Sequence, residues 1–189
     1  MERPIALREW AVAVRALEEG RQAIVLRKGG IAEETKEFRL ESPEFYLFPS
    51  YEHQRPELVK PEFRDAVEAT RAEAAANPGR VRLTSYAEAA EDYEVTDAKT
   101  LERLNELHIW TADYAEERLK WKKTKPLHVL LLRVFKFDEP IEIPESDSYG
   151  GCKSWLRLEE EIAQRTRKPV LDDRQFANQA ELLSRAVRG

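Results

Sequence analysis

The chain has 189 residues, of which 42% are hydrophobic and 35% charged, with a formal net charge of −5. This composition predicts a globular protein long enough to bury a substantial core under a heavily charged surface. It excludes a strong overall positive field, so any contact with nucleic acid must use a local basic patch, and the one cysteine, Cys152, excludes an internal disulfide. Leu7, Trp10, Ala11, Val14 and Leu17 recur at helical spacing, with Gly20 as a stop, and predict a first helix. Residues 22–27 follow as a strand. Residues 38–40 and 45–48 read as two more strands joined by a turn at Ser42-Pro43, the second breaking at Pro49.

Pro61 suits the first turn of a helix reaching about Ala76, and Asn77-Pro78-Gly79 ends it. Val81, Leu83 and Ser85 alternate as in a strand, whereas 87–94 reads equally as strand or short helix. Thr96 or Asp97 caps a helix with Leu101, Leu104 and His108 on one face, and a second short helix covers 113–121. Residues 129–137 make the strongest strand, apolar on both faces at its start and therefore central. Pro140 and Pro144 bracket a short edge-like strand at 141–143. A glycine-containing loop at 148–154 leads into a helix with Trp155, Leu158 and Ile162. Asp172 and Gln175 form a capping-box start for a last helix striped by Phe176, Ala180, Leu183 and Val187.

Three groupings carry chemistry. Arg27-Lys28-Gly29-Gly30 ends a strand in two cations and two glycines. Glycine amides approach an anion closely and Arg adds a bidentate fork, so this end could hold a phosphate or carboxylate; the bland alternative is a basic hairpin end. Glu52-His53 follows the second aromatic strand and could act as an acid–base pair, or simply satisfy backbone amides. Arg118, Lys120, Lys122, Lys123 and Lys125 surround Trp121, with Trp110 and Tyr114 upstream. Cations interleaved with aromatics suit phosphate pairing and base stacking, against the alternative of a solvated helix face over a core Trp121. Lys153 and Ser154 add polar groups to the glycine loop. Arg133 interrupts an apolar strand and needs an acidic partner or a ligand. His53, His108, His128 and Cys152 show no metal-ligand spacing, and no phosphate-loop or dinucleotide fingerprint is present, so neither metal nor cofactor is expected.

Five blocks in order resemble one family: Leu7-Arg8-Glu9-Trp10-Ala11-Val12, Leu26-Arg27-Lys28-Gly29-Gly30-Ile31, Phe48-Pro49-Ser50-Tyr51-Glu52-His53-Gln54, His108-Ile109-Trp110-Thr111 and Gly150-Gly151-Cys152-Lys153-Ser154-Trp155. They resemble the bacterial and archaeal domain of unknown function 1802. That resemblance implies no activity and no site residues. The helix, glycine and strand from Trp10 to Arg27 also look like the opening of PUA-like and ASCH domains, small β-barrels many of which bind RNA or modified bases.

The expected fold is therefore α+β: a small twisted mixed sheet or PUA-like β-barrel flanked by helices, with C-terminal helices. It is expected as one domain over 1–189, with a core at about 5–165 and a last helix at about 172–188. The leading functional expectation is a nucleic-acid or nucleotide-binding module, using Arg27, Lys28, Gly29, Gly30, Arg118, Trp121, Lys122, Lys125, Lys153 and Ser154. A hydrolase acting on nucleic acid or a nucleotide, through Glu52 and His53, and a protein-interaction module are the alternatives. RNA, DNA or a nucleotide is the expected partner. No apolar run approaches the ~20 residues of a membrane span and no signal-peptide core is visible, so a cytoplasmic location is expected.

Overall fold

The computed structural model describes residues 2–28, 38–121, 124–151 and 153–189, and these build an α+β fold on one mixed sheet. Its opening differs from the sequence expectation. Ile5–Trp10 is strand β1, and helix α1 begins only at Ala11 and runs to Glu18. The helical spacing of Leu7, Trp10, Ala11, Val14 and Leu17 is thus shared by two elements. Pairing overrides periodicity here, because β1 has a strand on each side. Strand β3, Glu44–Ser50, runs parallel to it, and strand β6, Trp155–Arg157, runs antiparallel.

The same pairing corrects the expected helix at Trp155. Trp155 and Leu156 are both buried, on opposite faces of a short strand that closes against Ile5–Leu7. Residues 38–40 form no strand. Pro49 does not end β3 but lies within it; beyond Tyr46 that strand pairs on one side only, which leaves room for a residue without an N–H.

Strands β2 (Ile24–Arg27), β4 (Arg80–Val95), β5 (Leu127–Pro144) and β7 (Arg167–Pro169) complete the sheet. The order is β2-β5-β4-β3-β1-β6, with β7 also on β5. The strands expected at 22–27, 45–48, 81–85 and 129–137 share it, and β5 is internal as expected. The ambiguous segment 87–94 belongs to β4. Residues 141–143 continue β5 and pair with 81–83, so they are no separate edge strand. Two register shifts, at Leu83/Ser85 and Ala89/Glu91, interrupt the long β4–β5 ladder. Such bulges bend and twist a ribbon. The sheet curls enough that its two ends meet: Arg27, closing β2, donates a hydrogen bond from Nη2 to Ser154 Oγ, just ahead of β6, at 2.6 Å. Among the described residues no ladder joins β2 to β6, which leaves a curled half-barrel.

Leu7, Val25, Phe45, Leu130 and Trp155 fill the inside of the curl. A second core lies between the sheet and helices α2 (Arg64–Ala76), α3 (Ala98–Arg103), α4 (Ala112–Lys120) and α5 (Asp173–Arg188). The capping box forms as the sequence predicts, with Asp172 accepting from the Gln175 amide at 2.8 Å and Gln175 from the Asp172 amide at 2.9 Å. Leu183 is fully buried, and Phe176, Ala180 and Val187 pack against the same core. α5 also supplies the partner of Arg133, whose guanidinium pairs with Asp173 and lies 5.2 Å from the Phe176 ring. Arg133 is therefore a docking residue for α5 and not a ligand clamp. Gln54 is buried and ties helices together: it accepts from the Val12 amide at 2.8 Å, opening α1, and donates to Thr70 of α2 at 3.1 Å. No helix among the described residues is long and apolar enough to cross a membrane.

Candidate functional site

Where β1, β2 and β3 end, the curl encloses a cavity of about 280 Å³. It wraps the end of β1, so Arg8, Glu9 and Trp10 all line it. Leu26, Arg27 and Lys28 enter from β2, and Ser50 and His53 from the end of β3 and the turn beyond it. Helix α4 forms the opposite wall. Thr111 caps it by accepting from the Tyr114 amide at 3.2 Å. Tyr114 and Arg118 are one turn apart and so face the same way, and both line the cavity with Trp121. Gly151, Lys153 and Ser154 close it from the loop before β6.

Among the described residues five cations thus face one carboxylate: Arg8, Arg27, Lys28, Arg118 and Lys153 against Glu9. The molecule is acidic overall, so this concentration of positive charge is local. Glu9 is buried, accepts from the Trp10 amide at 2.8 Å and lies 3.4 Å from Arg27 Nη1. It neutralises only part of its surroundings. Arg27 keeps a buried Nε without a hydrogen-bond partner among the described residues. Arg8 donates to the carbonyls of Tyr149 and Gly151, which anchors the loop. Lys28 is almost wholly buried and donates to the Leu119 carbonyl at 2.6 Å. Burial lowers its pKa from the usual lysine value.

The aromatic wall is built in layers. Trp110 stacks on Tyr114 at 5.7 Å between ring centres, and Trp10 meets Tyr114 at 5.4 Å. The Arg118 guanidinium lies 5.6 Å from the Tyr114 ring and 5.8 Å from that of Trp121, and its Nε donates to the Tyr114 hydroxyl at 3.1 Å.

Of the residues singled out from sequence, Arg27, Lys28, His53, Arg118, Trp121, Lys153 and Ser154 meet in this one cavity. Glu52 does not line it. Glu52 faces a neighbouring cavity of about 770 Å³, which His53 also borders, so the two residues share that larger space and only His53 reaches the cationic cavity. Lys125 is half-buried and lies outside the cavity lining. Gly29, Gly30, Lys122, Lys123 and Cys152 lie outside the described residues. Sequence reasoning missed Arg8, Glu9 and Trp10, which line the cavity with Ser50 and Tyr114. A signal existed: Arg8-Glu9 interrupts an apolar run, which fits the end of a strand better than a buried helix face. The other two histidines serve structure. His108 is buried beside Trp110, and His128 pairs with Asp92 at 2.8 Å. Among the described residues no group of His, Cys, Asp and Glu could hold a metal ion.

The chain belongs to the family described as domain of unknown function DUF1802, whose model matches residues 6–182. Two solved structures of ZmASCH from Zymomonas mobilis, a tyrosine-to-phenylalanine and a serine-to-alanine mutant, are similar to it. They are 13% and 10% identical, each comparison covers 84% of this chain and 92% or 90% of the other, and the TM-score is 0.47 in both. No curated protein matches the chain.

Proposed function

We propose that the cavity binds a nucleotide unit, free or within nucleic acid, holding phosphate on its cations and the base against its aromatic wall. One observation carries this reading: five cations and three aromatic side chains, Trp10, Tyr114 and Trp121, converge on one cavity in an acidic protein. The volume, just below the ~300–1,000 Å³ range of ligand pockets, suits one base with its sugar and phosphate better than a larger cofactor. Phosphate contacts supply the affinity and stacking supplies tolerance of sequence.

Lys153 is the exposed cation at the rim. Lys153→Ala should weaken binding of single-stranded RNA or DNA about fivefold at low salt and reduce the slope of log affinity against log salt by about 0.7, one phosphate contact's share for a single strand. Titration by tryptophan fluorescence reads both. Failure of the native protein to bind any single-stranded, duplex or mononucleotide probe at low salt would remove the proposal.

A second reading is hydrolysis at the same place, favoured by the exposed imidazole of His53 on the cavity wall. If a screen of nucleotides and oligonucleotides finds turnover, His53→Ala should abolish it with the melting temperature nearly unchanged. Turnover that survives the substitution would leave His53 without a catalytic part.

A further inference from the structure

The site cavity is not isolated. It shares Arg8, Ser50, His53 and Gly151 with the larger neighbouring cavity of about 770 Å³, so the two form one groove with a waist. Arg8 stands at that waist, held by two backbone carbonyls of the loop.

Charge reverses across the waist. On the site side Arg27, Lys28, Arg118 and Lys153 oppose only Glu9 among the described residues. On the far side the groove is lined by Glu52, Glu145 and Asp147, with Arg80 as the cation beyond Arg8. All three carboxylates are exposed at the wall. A single strand adds one phosphate with every nucleotide. A strand leaving the cationic cavity through the waist would lay its next phosphates within a Debye length, about 8 Å at physiological salt, of these carboxylates. Grooves that track single strands need cations along their whole length. Among the described residues this one concentrates them at one end, with Arg80 alone among three carboxylates at the other.

We infer that the site takes one phosphate-bearing nucleotide unit, either free or at the end of a strand, and does not carry a strand through. The inference rests on the nucleotide reading above and narrows it.

The test is a length series: thymidine 5′-monophosphate and 5′-phosphorylated oligothymidylates from two to about sixteen nucleotides, the upper range of single-strand site sizes. Affinity should level off by the dimer, and the salt slope should stay constant with length. A monophosphate that binds as well as the dimer identifies a free nucleotide; a dimer that binds better identifies a strand end. Either outcome supports the inference. The double variant Glu52→Lys, Glu145→Lys changes two exposed side chains and should make affinity rise with length, because it extends the cationic path. Affinity in the native protein that climbs more than about tenfold from dimer to the longest oligomer, with a steepening salt slope, overturns the inference and leaves the nucleotide reading standing. No binding by any member overturns both.

Discussion

Acidification from about pH 7 to about pH 4 should remove roughly 3 kcal/mol of folding stability through His108 alone. His108 follows a short 3₁₀ turn, Asn105–Leu107, and is almost wholly buried in the core against Trp110, with ring centres 5.8 Å apart. Burial is the main reason its pKa falls from 6.5 to about 4. The Lys60 ammonium beside it adds repulsion, and the backbone at Trp110 opposes the fall in part. Lys60 is fixed there by donating to the carbonyls of Asn105 and His108. The folded state therefore holds His108 neutral, while the unfolded chain takes up a proton at ordinary histidine values. Above pH 6.5 neither state binds the proton and the full stability is present. As pH falls from 6.5 to about 4 the unfolded state is progressively favoured, and below the folded pKa the loss levels off. A fall of about two and a half units corresponds to roughly 3 kcal/mol at ~1.4 kcal/mol per unit. Urea denaturation at several pH values should show this limb in the native protein, and His108→Leu should flatten it by a similar amount. An acid limb equally steep in the variant would assign the loss to other groups.

The site was more legible from sequence than its connections were. Arg27-Lys28 and the Arg118–Trp121 stretch stood out because cations at a strand end or around an aromatic are local features. The convergence of these two groups with Lys153 and Ser154 depends on the curl of the sheet, which is set by bulges in the β4–β5 ladder and leaves no local signature. Glu52-His53 is a local feature too, yet its placement between two cavities depends on the fold. Adjacent in sequence, the two residues share the larger cavity, but only His53 also reaches the cationic one. The elements misread were those decided by neighbours far along the chain. Ile5–Trp10 and Trp155–Arg157 pair with each other across about 150 residues, and neither carries enough alternation to outvote a helical spacing. The last helix was read correctly because its capping box and apolar stripe are encoded within the helix itself.

Replacing Glu9 should move stability and ligand affinity in opposite directions. Among the described residues Glu9 is the only carboxylate lining the cationic cavity, and only 5% of its side chain is exposed, against 15% for its partner Arg27. Glu9→Gln keeps an oxygen able to accept from the Trp10 amide but removes the charge facing Arg27. A half of a buried pair left without its counter-charge costs up to about 3–5 kcal/mol. The 3.4 Å separation and the open cavity beside Arg27 place this site at the low end, near 3 kcal/mol. Ser154 remains as a hydrogen-bond acceptor for Arg27, so the fold should survive the loss. In the same variant an anionic ligand no longer meets a negative charge in the cavity, and Arg27 is freed to pair with it. Affinity for a nucleoside monophosphate should rise about tenfold, or ~1.4 kcal/mol. The ligand should then restore part of the lost stability in proportion to its occupancy. Chemical denaturation with and without the monophosphate reads both effects on one sample. Unchanged stability would show that the Glu9–Arg27 pair contributes little to the fold. Lower affinity in a folded variant would place Glu9 in contact with the ligand as a hydrogen-bond acceptor, and would remove anion binding at Arg27 from the account of this cavity.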